Sequence, residues 1–527
     1  MEGVKLKAKL LKAAGIIGAL TLVSRILGMT RDILSAQGFG TTWQWDAFIY
    51  AFMLPNFVRR LVAEGALTSA FIPVFTEIKE KEGEPAAFHF ANVICTLLFW
   101  GLVVLLLLVE AGLVFFTKSP HLSPTVRLTA ELLKLFTPYL FFMALCALAA
   151  GILNSFHKFF SPALNPILLD VVWIFAVLWG ATLGKTPEER VFWLAVWIFI
   201  SGAVQLGVQI PFLLRTGYRP HFLFDFSHPG LRKVGQLILP AVLGFAVMQI
   251  NLLVDTTMSF WIGPGANSSL WYGNRIMQFP LGIFAIAMGT ALLPAISHHT
   301  ARNEMQEANR SLSFALRSIF FIIFPSTVGL IVLRIPIVRL LFERGDFDAV
   351  STARTAFVLL CYTFGLFAYS GQKVIVTGFY SVQDMKTPMK VGALTLFLNM
   401  ILNLILMRFL REGGLALATS ISGIVNFSAL LYLYDKKIAG FPVRELVTST
   451  FKIFIASVVM GWSAYHFYSW IYPHAGGNTT VQLLTGVFSS IALSIPIYLG
   501  ICFLLRVPEI QDALRWVRSL PAAKPPV

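Results

Sequence analysis

Charged residues are scarce in this chain. Of its 527 residues, 13% are Asp, Glu, Lys or Arg and 57% are hydrophobic, and the mean hydropathy is +0.75. A soluble domain carries roughly a quarter charged residues. Apolar runs of about 20 residues, the length that a helix needs to cross a bilayer, recur along the whole chain and lack the alternation of barrel strands. The composition therefore excludes a soluble protein and predicts an all-α polytopic membrane protein.

Motifs for metal, nucleotide or nucleophilic chemistry are also missing. The four cysteines lie singly in apolar runs, and the nine histidines form no HxxxH or HExxH pattern. No Walker A, GxSxG or GxGxxG element occurs, and no polar stretch is long enough to be a nucleotide-binding domain. These absences argue against an ATPase or a hydrolase, and we expect a protein that is not an enzyme.

Fourteen apolar runs predict fourteen transmembrane helices. They are centred near Leu22, Val62, Val104, Phe141, Val172, Ile198, Val247, Ile286, Ile323, Phe364, Leu398, Ile421, Val458 and Leu493. Basic residues concentrate on the segments that are cytoplasmic if the N-terminus is inside, so we expect both termini in the cytoplasm. An anionic inner leaflet accounts for the net charge of +15, and we expect no nucleic-acid binding.

Landmarks that recur at a near-constant offset predict an internal duplication. They are Pro73 and Pro294, Pro162 and Pro388, and Asp32 and Asp255, which lie 221, 226 and 223 positions apart. The offset predicts two pseudo-symmetric six-helix lobes, an N-lobe at residues 1–220 and a C-lobe at 221–440. Helices 13 and 14 follow at 441–508, and a cytoplasmic tail at 509–527. A substrate path between two repeats is typical of a transporter.

Ionisable side chains inside spans are costly, so they usually face a cavity or a partner. Arg25, Arg31, Arg59 and Arg275 lack a carboxylate at helical spacing, and Asp32, adjacent to Arg31, points in a different direction on the helix. Arginine's planar fork suits phosphate, so four such groups between the lobes would form a cavity for a diphosphate. The alternative is that some of them snorkel to a surface or pair across helices.

A second set of polar residues lies in the other half. Asp255 stands alone in helix 7, Asn399 and Asn403 are four residues apart on helix 11, and Thr419 lies on helix 12. Their oxygens suit a hard cation such as sodium. The alternative is hydrogen bonding between helices, which Asn and Thr commonly make in membranes. Beyond sodium, we expect no cofactor.

Several motifs together resemble the MurJ (MviN) family of lipid II flippases, within the multidrug/oligosaccharidyl-lipid/polysaccharide exporter superfamily. They are SRILGMTRD, DAFIYAFMLPNFVRRLVAEGALTSAFIP, YGNRIMQFPLGIFAIAMGTALLP, LFERGDF and YSVQDMKTP, and the resemblance extends over nearly the whole chain. It implies a V-shaped pair of six-helix lobes around a cationic cavity. It also implies that the last two helices form a groove for the lipid tail.

The resemblance also implies roles for individual residues. The family's essential arginines map to Arg25, Arg31, Arg59 and Arg275 as substrate-binding groups. Its acids in helices 1 and 2 map to Asp32, Asp46 and Glu64; with Arg60, which is four residues before Glu64, they are gating or charge-coupling candidates. The sodium site of some members maps to Asp255, Asn399, Asn403, Leu415 and Thr419. Asn403 stands where a carboxylate is expected, and the lost charge weakens the attraction for a cation.

We therefore expect a lipid II flippase of the bacterial inner membrane. It would move the undecaprenyl-diphosphate-linked peptidoglycan precursor from the inner to the outer leaflet by alternating access. The alternatives are an exporter of another polyprenyl-linked saccharide or of a drug, and a membrane scaffold for cell-wall enzymes. Unpaired arginines argue against the export of organic cations. The expected partners are lipid II, membrane lipids and cell-wall synthesis proteins, and we expect a monomer.

Overall fold

The computed structural model describes residues 2–60, 67–282, 296–300, 302, 304–438 and 440–511. The described residues form α-helices and contain no β-strand. Within them, nine helices are long and apolar enough to cross a membrane, or ten if one bent pair is a single span. The expected all-α polytopic fold is confirmed, and the count of fourteen spans stays a prediction. The predicted centres of helices 2 and 8, Val62 and Ile286, lie outside the described residues.

The first of two compact units contains the residues up to Ser268 together with Arg344–Phe347. Its helices are α1 (Glu2–Phe39), α2 (Trp43–Val58), α3 (Thr68–Glu82), α4 (Glu84–Thr117), α5 (Pro124–Ser155), α6 (Phe160–Phe175), α7 (Pro187–Leu214) and α8 (Pro229–Ile262). A π-turn at Ala176–Gly180 and a 3-10 turn at Ala181–Leu183 extend α6. The next helix, α9 (Ala266–Pro280), begins in this unit and continues into the second.

The second unit contains Ser269–Glu343 and the residues from Asp348 onward. Its further helices are α10 (Met305–Phe342), α11 (Ala349–Thr363), α12 (Leu366–Ser381), α13 (Lys386–Leu410), α14 (Glu412–Lys437), α15 (Val443–His474) and α16 (Thr479–Leu504). The predicted lobe limits stay a prediction, because the duplication and the compact units divide the chain by different criteria.

The predicted helix near Phe364 is two helices, α11 and α12, that meet at a bend of 42°. Gly365 lies at the bend, and a Cβ there would lie 2.8 Å from the Cα of Ser420. Any residue larger than glycine at position 365 would require one of the two helices to move. The bend therefore comes from close helix packing, which the apolar run itself does not reveal.

Side-chain caps mark where many helices begin. Thr42, Ser123 and Asp348 each accept a hydrogen bond from a backbone N–H in the first turn of the helix that follows. Thr186 and Glu189 form a full capping box at the start of α7. These caps satisfy donors that have no partner within the helix, which matters most near a membrane where water is scarce.

Helix limits repeat between the two halves of the chain. Helices α1 and α8 end at Phe39 and Ile262, 223 positions apart, and α2 and α9 begin with the same offset. Helices α6 and α13 begin at Phe160 and Lys386, an offset of 226. Matching limits at three places support the duplication that the landmark residues predict.

The turns before α6 and α13 repeat in atomic detail. His157 and Gln383, again 226 positions apart, have positive φ angles of 55° and 59°. In each turn a backbone N–H reaches back five residues, from Lys158 to the Leu153 carbonyl and from Asp384 to the Phe379 carbonyl, both at 2.9 Å. This is the hydrogen bond that closes a helix with a left-handed residue. The same closing bond ends α16, where Arg506 has a φ of 52° and the Val507 N–H reaches the Cys502 carbonyl, so the geometry alone is common; the matched positions of the two turns, 226 residues apart, are what agrees with the predicted duplication.

Aromatic side chains pack α2 against α5 and α6 in the first unit. Phe48 and Phe52 meet Phe136 of α5 and Trp173 of α6 edge to face, with ring centroids 5.0–5.7 Å apart. Such contacts add to the stabilisation from buried area. Trp173 also contacts α1, where its indole N–H donates to the Ser35 hydroxyl at 3.1 Å. The aromatic contacts with α2 and this hydrogen bond together hold the Trp173 ring in place.

Candidate functional site

Arg31 lies at the centre of a buried cluster of charges between α1 and α6. Its Nε and Nη2 donate to Asp32 Oδ1 at 3.1 and 3.0 Å, and its Nη1 donates to Asp170 Oδ1 at 2.8 Å. The exposed fractions of the three side chains are 7%, 2% and 6%. The guanidinium also lies over the Trp173 ring, 4.6 Å from its centroid. Arg31 is thus neutralised by carboxylates inside the protein.

This cluster corrects the analysis of Arg31 from sequence. The expectation that Asp32 points away from Arg31 is wrong, because the long arginine side chain folds back onto its neighbour. The alternative that an arginine pairs across helices holds for Arg31, with Asp170 as its partner. Asp170 was missed altogether. Its signal was present, since it is a lone carboxylate in the apolar run NPILLDVVWIF, and an ionisable residue within a span is a candidate site by default.

Asp170 is also close to two other residues of α1. Its Oδ2 accepts a hydrogen bond from the Ser24 hydroxyl at 3.5 Å. A Cβ at Gly28 would lie 3.6 Å from the same oxygen. The carboxylate of α6 therefore lies along about two turns of α1, from Ser24 to Arg31.

Arg25 differs from Arg31 although both lie on α1. Its side chain is half-buried and makes no hydrogen bond or ion pair with any residue that the structure describes. A guanidinium without a carboxylate partner in a membrane-spanning helix needs water, a lipid headgroup or an anion nearby. Arg25 thus fits the expectation of an anion-binding arginine on this count.

Arg59 and Arg60 follow α2 directly. The Arg59 side chain donates from Nε and Nη2 to the Asn56 amide oxygen at 3.0 and 2.8 Å, and it makes further contacts. Arg60 is exposed and also has a partner. Glu64, the proposed partner of Arg60, lies outside the described residues. The predicted Arg60–Glu64 pair therefore stays a prediction.

Asp46 holds the first residues of α9. Its carboxylate accepts hydrogen bonds from the backbone N–H groups of Gly265 and Ser268, and from the Ser268 hydroxyl. The Asn267 amide donates to the Asp46 carbonyl at 3.2 Å. A carboxylate at a helix N-terminus satisfies orphan donors and complements the helix dipole. Asp46 also lines a cavity of about 490 Å³ within the first unit, between α2, α4, α5 and α8.

The fourth arginine, Arg275, belongs to the second unit. It is half-buried on α9, its guanidinium lies 5.5 Å from the centroid of the Trp271 ring, and it makes further contacts. The structure therefore brings together Arg31 and Asp32, adds Asp170, and describes Arg275 separately. A joint site of all four arginines stays a prediction.

Four residues of the predicted sodium site form one chain of hydrogen bonds in the second unit. The Asn403 side chain donates to Asn399 Oδ1 at 3.0 Å, the Asn399 amide donates to Thr419 Oγ1 at 3.3 Å, and the Thr419 hydroxyl donates to the Leu415 backbone carbonyl at 3.0 Å. The fifth residue, Asp255, is buried on α8 of the first unit. Among the described residues, no three His, Cys, Asp or Glu are grouped as metal ligands.

Known proteins resemble this chain along most of its length. A family model described as "Lipid II flippase MurJ" matches residues 35–482. The "Probable lipid II flippase MurJ" of Vibrio cholerae is 33% identical over 528 residues, covering 96% of this chain and 98% of the relative. The "Lipid II flippase MurJ" of Burkholderia cenocepacia is 33% identical over 437 residues, covering 81% and 84%.

Solved structures agree with these relatives. A structure of "Lipid II flippase MurJ, inward closed conformation" is similar with a TM-score of 0.77 and 28% identity, covering 93% of this chain and 98% of that one. An inward-facing multidrug resistance MATE family transporter of the MOP superfamily has a TM-score of 0.63 at 15% identity, covering 79% and 94%, which indicates a shared fold. Since the family model matches most of the chain, and relatives at 33% identity are covered almost end to end, the chain belongs to the lipid II flippase MurJ family.

Proposed function

We propose that this protein is a lipid II flippase of the bacterial cytoplasmic membrane. It would move the undecaprenyl-diphosphate-linked peptidoglycan precursor from the inner to the outer leaflet, with both termini in the cytoplasm. The observation that carries the proposal is a pair of arginines on one membrane-spanning helix of a chain of this family. Arg31 is buried among carboxylates, and Arg25 is half-buried without a carboxylate partner among the described residues.

Arginine is the side chain best suited to the diphosphate of this substrate. Its guanidinium keeps its charge at any physiological pH and donates two parallel hydrogen bonds to a phosphate. In the proposal Arg25, Arg31, Arg59 and Arg275 bind the diphosphate and the headgroup sugars lie beyond them. Asp32, Asp46, Arg60 and Glu64 position the arginines or adjust the charge of the site as the protein changes conformation.

Transport would proceed by alternating access. The headgroup enters from the cytoplasmic side while the prenyl tail remains in lipid, because transferring about fifty carbons out of lipid would be prohibitively costly. Closure on the inside and opening on the outside then release the headgroup. Membrane potential or an ion resets the protein, which acts as a monomer and breaks no bond of its substrate.

The sodium site is a separate proposal. Asn399, Asn403, Leu415 and Thr419 are linked by three hydrogen bonds, and sodium would replace those bonds with oxygen coordination, together with Asp255. Asp255 would be the one carboxylate of this set, and the amide at position 403 adds no negative charge, so the attraction for a cation is weak. We therefore propose that any sodium site here binds more weakly than one with a carboxylate at position 403.

The function is tested by reconstituting the full chain in vesicles and following movement of fluorescent lipid II from one leaflet to the other. We expect translocation by the native protein and a loss of at least tenfold in Arg25→Ala, with partial recovery in Arg25→Lys. Arg232→Ala is the matched control, because Arg232 is an exposed arginine at the start of α8.

Two outcomes would contradict the proposal. Equal rates for Arg25→Ala and the native protein would remove Arg25 from the site. If the native protein moved another polyprenyl-linked saccharide or a drug rapidly but did not move lipid II, lipid II would not be its substrate. The same vesicles serve for all three substrates.

A further inference from the structure

We propose that Asp170 is an internal substitute for the phosphate of the substrate. In the absence of substrate it binds Arg31, and the incoming diphosphate displaces it. The inference rests on the proposed function, because it needs an anionic substrate. It adds a residue that the analysis of the sequence did not single out, on a helix that contributes no other residue to the proposed substrate site.

The first step is that Arg31 needs an anion at all times. Its side chain is 7% exposed, and a buried charge that loses its partner costs several kcal/mol, so the unpaired state is hardly populated. A carboxylate and a phosphate offer the same paired oxygens to a guanidinium. Either can therefore bind the Nη1 side of Arg31, while Asp32 on Nε and Nη2 compensates the charge during the exchange.

The second step is that only one of its two carboxylates can move away. Asp32 is the next residue on α1 and travels with Arg31 in any helix movement. Asp170 lies on α6, 139 residues further along the chain. A shift of α1 against α6 would break the 2.8 Å bond to Asp170 and leave both bonds to Asp32 intact. Asp170 is thus the exchangeable partner.

The third step is the charge of the cluster. One guanidinium between two ionised carboxylates carries a net charge of −1, which repels a diphosphate. Separation from Asp170 makes the Arg31–Asp32 pair neutral and leaves the Nη1 donor facing a new acceptor. While it is bonded to Arg31, Asp170 also accepts a hydrogen bond from Ser24. Ser24 and Arg31 lie on either side of Gly28, so α1 holds the Asp170 carboxylate at two points.

The arrangement would give the transporter a way to release its substrate. If Asp170 competes with the diphosphate, its return to Arg31 expels the headgroup on the far side. Removal of the competitor should then strengthen binding and slow turnover. A residue that merely holds the fold together, or that positions Arg31 for the phosphate, should weaken binding when it is removed.

The test compares Asp170→Asn with the native full-length protein in detergent and in vesicles. We expect the Kd for lipid II to fall roughly tenfold, the gain from removing one competing charged hydrogen bond, while translocation per molecule slows by a similar factor. Undecaprenyl diphosphate, which lacks the sugars and peptide, should show the same gain. Glu412→Gln is the matched control, because it breaks another buried carboxylate–arginine pair, with Arg354 at 2.6 Å, and should leave the Kd unchanged.

The outcomes separate this inference from the function itself. Native protein that neither binds nor moves lipid II would refute the proposed function. Native activity together with weaker or unchanged binding in Asp170→Asn would overturn the inference alone. If Asp170→Asn does not fold, Ser24→Ala decides, because it only loosens Asp170. The Kd should then fall about twofold, and an unchanged or higher Kd would refute the competition.

Discussion

Each compact unit buries a network of polar side chains on its long helices, and the two networks differ in charge. In the first unit Arg31 joins two carboxylates, Asp32 and Asp170. In the second unit Asn399, Asn403 and Thr419 pass hydrogen bonds along α13 and α14 without any charge. The comparison teaches that the two halves of the chain agree in helix limits and turns, while their buried polar side chains differ in charge.

The divergence is visible at matched positions. Helices α6 and α13 begin 226 residues apart, and the same offset relates Trp173, which lies under the Arg31 guanidinium, to Asn399. An indole and a carboxylate on α6 suit a cation, whereas amides on α13 suit one another or a weakly held ion. Because the two networks differ in charge, substitutions in the ionic network should lower the free energy of unfolding more than substitutions in the neutral network.

The largest effect is expected for the centre of the ionic network. Arg31→Ala leaves two carboxylates buried without their cation, so we expect a loss of about 3–5 kcal/mol of unfolding free energy and translocation below detection. Thermal unfolding in detergent measures the loss of stability, and lipid II movement in vesicles measures translocation. Arg310→Ala, which breaks an exposed pair with Glu307, should cost at most about 0.5 kcal/mol.

A charge-neutral variant sharpens the same comparison. Replacing Arg31 by Met together with Asp32→Asn and Asp170→Asn removes all three charges, so the stability should largely return while translocation stays absent. Recovery of translocation in this triple variant would show that the ionic cluster has a purely structural purpose.

A smaller effect is expected in the amide network. Asn403→Leu removes the donor to Asn399 within α13, and a hydrogen bond between neutral groups is worth about 0.5–1.5 kcal/mol, so a loss of that size is expected. Asn426→Leu is the comparison variant, since Asn426 of α14 donates to Thr395 of α13 at 2.8 Å and a similar loss is expected there. A loss above 3 kcal/mol would contradict the picture of a neutral, loosely coupled network.

Charge can also be added to the amide network. Asn403→Asp should raise the melting temperature in sodium chloride relative to choline chloride, because a carboxylate beside the Asn399 and Thr419 oxygens attracts a hard cation. The native protein should show a smaller difference. Equal sodium responses in Asn403→Asp and Asn426→Asp would show that no cation site forms here.

The smallest effect concerns a charge outside the spans. Burial opposes the ionisation of Asp384, but hydrogen bonds from Lys437 and Thr387 outweigh it, so the pKa of Asp384 lies below its usual range. The stabilisation is therefore present above the unfolded pKa of about 4 and is lost as the pH falls through the lower folded pKa. Asp384→Asn should lower the melting temperature by about 1–2 °C at neutral pH, and by less near pH 3; an equal shift at both would exclude this linkage.

Much of the fold follows from the sequence because the bilayer imposes long apolar helices on any chain that crosses it. The low content of charge and the runs of about 20 residues were sufficient for the class, and motifs such as SRILGMTRD were sufficient for the family. The repeat that the offset between Asp32 and Asp255 indicates stays a prediction. Arg25 could be selected as an ionisable group in a span. The bend at Gly365 could not be predicted from the sequence, since the close approach of another helix at Gly365 is visible only in the folded chain.

What only the tertiary structure decided is the pairing of charges. Asp170 is 139 residues from Arg31, and no periodicity relates two helices that meet only after folding. Whether a buried arginine is neutralised or stays available to an anion depends on distances of a few ångströms, because Coulomb attraction in a medium of low dielectric constant is strong and local. The sequence by itself determined that the first apolar run carries Arg25 and Arg31; folding determined that Arg31 is held by two carboxylates, while Arg25 has no carboxylate partner among the described residues.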